Sequence, residues 1–456
     1  MPHPPSPSVG PPAPAEGSAT GTLRVPRPSR TSWRERVSAL GLSVVVGGSC
    51  GLASALFLAS LERVTAWREA HTHWVFALPI AGLVLGALVV RGGSRVQGGN
   101  DRVIDTIHDA GPVLPWEMGP LVLLGTLVTH LFGGSAGREG TAVQMGAVVA
   151  DNLSHRLRTS PRVRQDLLLA GVSGGFGSVF GTPLAGAVFA LEFTTPGRFR
   201  LRALGPSLVA SFVGDATTRG MGIAHTPFPP VRALELSGSV VLAWVLVAVA
   251  VACVVVAFVA MTHALKHLFS RWVSSLPLRM ACGGVVLVVL WCALGTDEPL
   301  GLGVPLLLRA FEEAPLPWHV ALTKLLFTSI TLGTGFLGGE VTPLFVVGAS
   351  LGSALAPWVA LPGPIAAGVC MAATFGAAAN TPLALVVMAI ELFGPAIAPH
   401  AALVTVLSYL LTGARGIYRA QRFDRPKWGG RPSSPLRPAS PQPRGAEPGA
   451  KGESRP

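Results

Sequence analysis

The sequence predicts an all-α protein that crosses a membrane many times, and three observations carry that prediction. Half of the 456 residues are apolar and only 13% are charged. Apolar runs recur from about Ala39 to Leu411, several of them long enough to cross a hydrocarbon core of roughly 30 Å. Those runs are continuous and do not alternate polar with apolar, which argues against a β-barrel.

The net charge of +12 sits largely in the ends of the chain, at Arg24, Arg27, Arg30, Arg34 and Arg36, then Arg415, Arg419, Arg422, Arg425, Lys427 and Arg431. By the positive-inside rule this places both termini in the cytoplasm and makes the number of crossings even, as in a multi-pass protein of the plasma or inner membrane. Aromatic interleaving and a folded basic module are absent, so nucleic acid is not an expected partner. Cys50, Cys253, Cys282, Cys292 and Cys370 lie in apolar segments without paired spacing and read as small buried hydrophobes. The first 30 residues lack the apolar core of a signal peptide.

Residues 1–32 and 424–456 are Pro-rich, polar and basic, and are expected to be disordered. Membrane segments are expected near 39–61 and 74–90. Residues 98–111 are too polar to span and fit a half-length, re-entrant helix whose start lines a cavity. Helices follow near 120–132 and 141–153, and Arg156, Arg158, Arg162 and Arg164 mark a water-facing loop. Further helices are expected near 165–177, 184–193 and 204–213. A long run at 240–264 opens the second half, with 279–294, a short element at 301–310, and helices near 318–332, 343–358, 365–375, 383–393 and 401–412. Many fall short of the roughly 20 residues needed to span. Such short, Gly- and Pro-broken segments characterise transporter cores with discontinuous helices.

An internal repeat supports that reading. GREGT (Gly137–Thr141) aligns with GGEVT (Gly338–Thr342) at an offset of 201, and Phe176–Phe193 aligns with Phe375–Leu392 at an offset of 199, with 9 of 18 positions identical. The two membrane units are expected at 33–225 and 226–423. With both termini on one side, an odd number of crossings per unit would make them inverted repeats.

The chemistry concentrates in Gly133–Asp151, GGSAGREGTAVQMGAVVAD, where Arg138 and Glu139 stand among glycines in a lipid-compatible chain. A carboxylate at membrane depth costs on the order of 3 kcal/mol or more and is rarely there for packing alone. A glycine-rich turn opening a helix offers free backbone N–H groups and the positive end of the helix dipole, a seat for a small anion. Ionised, Glu139 competes for that seat; protonated, it has no charge to hold it there. The competing view, a structural pair between Arg138 and Glu139, is weakened because adjacent residues on a helix do not face each other.

These motifs resemble the CLC chloride channel and transporter family. GREGT resembles its GREGP/GKEGP signature, GGEVTP its GxFxP signature, and Ala321–Ala356 is similar throughout to the corresponding segment. GNDRV (Gly99–Val103) stands where that family has GSGIP, and Tyr418 where it places an ion-coordinating tyrosine; the likeness covers roughly residues 38–420. It implies a CLC-type fold of two inverted repeats with many short, tilted and re-entrant helices. It also implies a homodimer with a pathway in each subunit, fluoride or chloride and protons as cargo, and no cofactor.

Departures from the family pattern sharpen the expectation. Asn100 replaces the coordinating serine, Thr141 the proline after the gating glutamate, and Glu340 and Val341 the usual apolar residue and phenylalanine. Phe193 stands in place of the inner proton-relay glutamate. This set looks like the fluoride/proton antiporter branch, with a chloride/proton exchanger or passive anion channel as the alternative. The resemblance thus assigns the gate to Glu139 and the anion path to Gly99, Asn100, Arg138, Gly140, Thr141, Glu340, Val341, Thr342 and Tyr418, with Gly99–Asn100, Gly137–Thr141 and Gly338–Thr342 converging at the midplane.

Plainer roles compete at several of these positions. Asn100 also suits helix capping, Glu340 helix N-terminal charge compensation, and Tyr418 a membrane–water interface. Glu192 and Glu391, at matching repeat positions, read as buried carboxylates holding loops, with a proton-path role for Glu192 open. His130 reads as a satisfied buried polar residue or a proton relay. Met145 and Trp244 read as packing, and Gly146, Gly348 and Gly352 as close helix contacts, including a dimer interface. Two enzyme motifs carry little: Gly171–Gly174 matches the GxSG of intramembrane serine proteases, but nothing selects His400 as the partner of Ser173. Gly333–Gly338 fits GxGxxG without a preceding strand. HExxH and P-loop patterns are absent, and the protein is not expected to be an enzyme.

Overall fold

The computed structural model describes residues 32–93, 97–109, 111–197, 199–312, 314–423 and 427. The expected disorder of the two tails therefore lies outside the described residues, apart from Ser32 and Lys427. Sixteen α-helices form, and no β-sheet among the described residues. The first eight are α1 (Trp33–Ala70), α2 (Leu78–Arg91), α3 (Gly99–Asp109), α4 (Met118–Leu131), α5 (Glu139–Arg156), α6 (Pro161–Phe180), α7 (Pro183–Phe193) and α8 (Leu204–Gly220). The second eight are α9 (Gly238–Trp272), α10 (Leu276–Leu294), α11 (Val304–Arg309), α12 (Trp318–Thr334), α13 (Val341–Leu355), α14 (Gly363–Ala379), α15 (Pro382–Phe393) and α16 (Ala398–Leu411). Each run opens with its longest helix and continues through a short third helix to five more.

Every helix expected from the sequence is present, in order, but several ends differ: α1 starts at Trp33, six residues early, α8 runs to Gly220, seven residues late, and two ends depart further. α1 continues to Ala70 and α9 to Trp272, eight or nine residues past the apolar stretches. Hydrophobicity marks where a lipid-facing run stops, whereas Glu62, Arg63, Lys266 and their neighbours are still sound helix formers and continue the turn. At its start α1 is fixed by a capping box: the Ser32 hydroxyl accepts from the Glu35 N–H at 3.3 Å, and the Glu35 carboxylate accepts from the Ser32 N–H at 3.2 Å. Ser32 thus belongs to the helix boundary and not to the tail. Five segments are long and apolar enough to cross a bilayer, including α1, α9 and α10; others, such as α4, α7 and α15, are shorter and apolar.

Small residues bring the helices together inside the chain. Gly146 on α5 lies against the Gly171 backbone of α6, and Gly348 and Gly352 on α13 lie against Cys370 and Ala366 of α14. Any Cβ at these positions would collide with a neighbouring backbone. The glycines expected to serve close contact do so within the subunit, so none of these contacts reports a dimer interface. Met145 and Trp244 are core residues, and Trp244 also donates its indole N–H to His400 at 2.9 Å.

The cysteines correct the sequence reading. Cys50 and Cys370 are buried, but Cys253, Cys282 and Cys292 are exposed on the surfaces of α9 and α10. An apolar neighbourhood in sequence does not distinguish protein interior from the lipid-facing side of a helix.

Two carboxylates lock the halves together by exchange. Glu192, near the end of α7, accepts from the Leu383 and Ala384 N–H groups at 3.3 and 2.8 Å, at the start of α15. Glu391, near the end of α15, accepts from the Leu184 and Ala185 N–H groups at 2.9 and 2.7 Å, at the start of α7. Thr182 and Thr381 precede these helices without making side-chain caps. Each unit's glutamate therefore satisfies the orphan donors of the other unit's helix, where the dipole also favours negative charge.

Candidate functional site

Two loops place the charged residues. Gly137 and Gly339 exchange backbone hydrogen bonds, N to O at 2.5 and 2.7 Å, so the turns before α5 and α13 run side by side. The first turn is also pinned to α12, where the Ser135 N–H donates to the Thr331 hydroxyl at 3.1 Å and the Ser135 hydroxyl lies 2.9 Å from that of Thr328. His130, at the end of α4, holds the same turn through the Ala136 carbonyl at 2.9 Å, and its other ring nitrogen meets the Thr126 carbonyl at 2.7 Å. Glu139 is consequently the first residue of α5, and Glu340 immediately precedes α13.

Glu139 is fully buried, and its carboxylate crosses to the other helix start. The Thr342 hydroxyl lies 2.6 Å from each carboxylate oxygen, and the Thr342 backbone N–H donates at 3.1 Å. A carboxylate here occupies the place at an N-terminus where any small anion would find its donors.

Arg138 overturns one expectation. Its Nε donates to Glu139 Oε1 at 3.3 Å and its backbone N–H to Oε2 at 3.2 Å. Arg138 is the N-cap of α5, so the spacing rule that separates neighbours within a helix does not apply to its side chain. The arginine and threonine together hold the carboxylate in place.

Glu340 forms a second, separate cluster. It is half-buried, accepts from the Asn100 amide at 3.3 Å, and is hydrogen-bonded by the Tyr418 side chain. Asn100 therefore contacts Glu340 and not Glu139, with its Oδ1 buried and unpartnered. Lying inside the first turn of α3, just behind Gly99, Asn100 reaches past Gly140 to the other unit. Tyr418 is 7% exposed and stacks edge-on to Phe193 at 5.1 Å, so it belongs to the core and not to a membrane–water interface. Thr141 is buried and shares a 2.7 Å hydrogen bond with the Thr126 hydroxyl, and Val341 is also buried.

A cavity of about 280 Å³ leads to this cluster. Asn100, Thr141, Glu340 and Tyr418 form its inner end, while Lys266 and Arg419 line its mouth. Glu139 and Thr342 are buried and are not among its lining residues.

Sequence reasoning overlooked the residues that fix Tyr418. The Asp101 carboxylate accepts from the Ala420 N–H at 3.1 Å, the Ile417 N–H donates to Ala378 at 2.9 Å, and Gln421 donates to the carbonyls of Phe193 at 3.0 Å and Ala379 at 2.7 Å. Only the adjacency of Asp101 to Asn100 offered a signal; Gln421 lay just past the last expected helix, in a basic stretch without a motif. The arginine cluster after α5 is likewise only partly solvent-facing, because Arg164 Nε pairs with the buried Asp151 at 2.6 Å.

The protease constellation does not assemble. The Ser173 hydroxyl donates to the Ser207 carbonyl at 2.8 Å, and His400 is held by Trp244 and the Leu234 carbonyl. Gly333–Gly338 spans the end of α12 and the turn after it, with no strand before it.

Comparison with known proteins agrees with this architecture. The family described as "Voltage gated chloride channel" matches residues 81–413. A "Chloride/fluoride channel protein" of Pseudomonas syringae pv. tomato is 45% identical over 394 residues, 85% of this chain and 87% of that protein. An H(+)/Cl(−) exchange transporter of Klebsiella pneumoniae subsp. pneumoniae is 24% identical over 348 residues, covering 70% of this chain and 72% of that one. Among solved structures, a CLC-type fluoride/proton antiporter superimposes with a TM-score of 0.84 at 33% identity, over 86% of this chain and 100% of that one. A slow cyanobacterial Cl−/H+ antiporter shares the fold at a TM-score of 0.73 and 18% identity, over 85% and 97% of the two chains. A polytopic helical chain with paired helix starts, matched by this family over most of its membrane portion, belongs to the voltage-gated chloride channel family, the CLC proteins.

Proposed function

We propose that the protein is a secondary active transporter that exports fluoride in exchange for protons, with Glu139 as both gate and proton carrier. One observation carries the reading: a fully buried carboxylate is held by both donors of Thr342, its hydroxyl and its backbone N–H, at the N-terminus of a helix from the other unit. Ionised, Glu139 fills the seat. Protonated, it loses the charge that holds it, and the freed hydroxyl and amide of Thr342 can solvate an anion. Occupancy by anion and by carboxylate then exclude each other, so each turnover moves a proton against a halide without ATP. The titles of the 45%-identical relative and of the structural neighbour, which name fluoride, support the choice of cargo.

The inner path fits fluoride, a compact and strongly hydrated acceptor. Passing Glu340 requires that its charge be neutralised or engaged, and Asn100 and Tyr418 supply the engagement. Gly99 and Gly140 place no side chain over the backbone at their helix starts, and the buried Val341 packs at the third. Phe193, which packs edge-on to Tyr418, stands where the resemblance puts the inner relay glutamate of chloride exchangers, so in this reading the proton takes another route to Glu139. Lys266 and Arg419 at the cavity mouth draw anions from the side on which the basic termini lie, which we take as the cytoplasm of a bacterial-type plasma or inner membrane. The units 33–225 and 226–423 are inverted repeats in this reading, and the transporter works as a homodimer with one pathway per subunit.

Reconstituted protein tests this directly. Fluoride efflux from proteoliposomes should acidify the interior and should run uphill when driven by an opposing pH gradient. Chloride moving as fast as fluoride defeats the selectivity, and fluoride flux without proton movement leaves a passive channel in place of the antiporter.

A further inference from the structure

The end of α1 farthest from Ser32 holds a buried cation that the transport cycle above does not use. Arg68, in the last turn, is 4% exposed; its Nη2 donates to Glu69 at 3.0 Å, while Nε and Nη1 have no hydrogen-bond partner. The Thr65 hydroxyl, one turn earlier, is also buried and unpartnered. Both residues line a cavity of about 270 Å³ between the last turns of α1 and the segment leading into α11. Buried donors left unmade are costly, and a guest that accepts from them is correspondingly favoured.

A second basic side chain lies beneath the cavity. Lys324 on α12 is fully buried, donates to the carbonyls of Pro299 at 3.1 Å and Gly301 at 2.7 Å, and packs under Gly303, which lines the cavity. It is close enough to Arg68 for mutual repulsion. The carboxylates around the opening are engaged: Glu298 with Arg309 at 2.5 Å, Asp297 with the Trp291 indole at 2.6 Å, and Glu69 with Arg68 itself. The architecture also repeats that of the cavity leading to Asn100. There, late residues of α9 (Thr262 and Lys266) face the start of α3; here, late residues of α1 face the start of α11.

We propose that this cavity is a second anion seat, in which a small monovalent anion lies between the free N–H groups of Arg68 and the hydroxyl of Thr65. Naming that anion fluoride rests on the function proposed above; the seat itself does not. An anion that leaves the Glu139 site toward this end of α1 would be received there by the free donors of Arg68 and Thr65.

Isothermal titration of sodium fluoride into the purified full-length chain tests the proposal. The wild-type protein should show two binding events. Arg68→Gln should lose one or weaken it at least tenfold, and Arg68→Lys, which keeps the charge but not the Nε donor, should weaken the same event several-fold. Thr342→Val should alter only the other event, which separates failure at this seat from failure of the central site. A titration of Arg68→Gln that superimposes on the wild type overturns the seat and leaves the cavity to water. If Arg68→Gln does not fold, an unchanged titration of Arg68→Lys overturns it equally.

Discussion

At the scale of single residues, the decisive contact joins Glu139 to Thr342. Removing the hydroxyl takes away the 2.6 Å partner of a buried carboxylate, an interaction worth about 1.5–3 kcal/mol when one member is charged. Thr342→Val should therefore slow fluoride exchange by about tenfold or more, whereas Thr342→Ser should stay near wild type in the same flux assay. Glu139→Gln cannot exchange a charge for a proton, so fluoride flux through it should no longer move protons. Intact proton coupling in that variant would remove Glu139 from the gate. Arg138 shows how local geometry decides a pairing: as N-cap it turns back onto its neighbour, an arrangement that two residues within one helix could not make.

At the scale of elements, the structure rests on helix starts supplied with acceptors by helices of the other half. Glu192 and Glu391 each take two backbone N–H groups at an N-terminus whose own threonine does not cap it. Losing such a cap costs about 0.5–2 kcal/mol, with the dipole interaction adding to it. Glu192→Gln and Glu391→Gln should each lower the midpoint of thermal unfolding in detergent while preserving the fluoride-over-chloride preference. A change of preference without loss of stability in Glu192→Gln would return that residue to the proton path. The 415–422 strap shows the same logic, since Asp101, Ala378 and Gln421 fix the backbone around Tyr418 and so set where its hydroxyl meets Glu340.

At the scale of the whole molecule, the site belongs to neither half. Glu139 comes from the first run of helices and Thr342 from the second, as do Asn100 and Glu340 respectively. Residues 221–237 join the two runs without a helix, which makes this the natural place to cut. Fragments 1–225 and 226–456, co-expressed, should reassemble into a protein that transports fluoride, and either fragment alone should not. Transport by a single fragment would show that one run suffices, against the shared site.

The sequence alone determined the class of fold, the order of all sixteen helices and the two motifs that meet. Those features are written locally, in apolar runs, glycine-rich helix starts and a repeat separated by about two hundred residues. It did not determine which side chain each charge would meet. Asn100 reaches Glu340 and not Glu139, Arg138 folds onto Glu139, Tyr418 lies in the core, and three of the five cysteines face outward. Each of these outcomes depends on the crossing of helices distant in the chain, and on whether an apolar surface is covered by protein or by lipid. Neither is encoded in the spacing of residues along one segment, so only the tertiary structure could decide them.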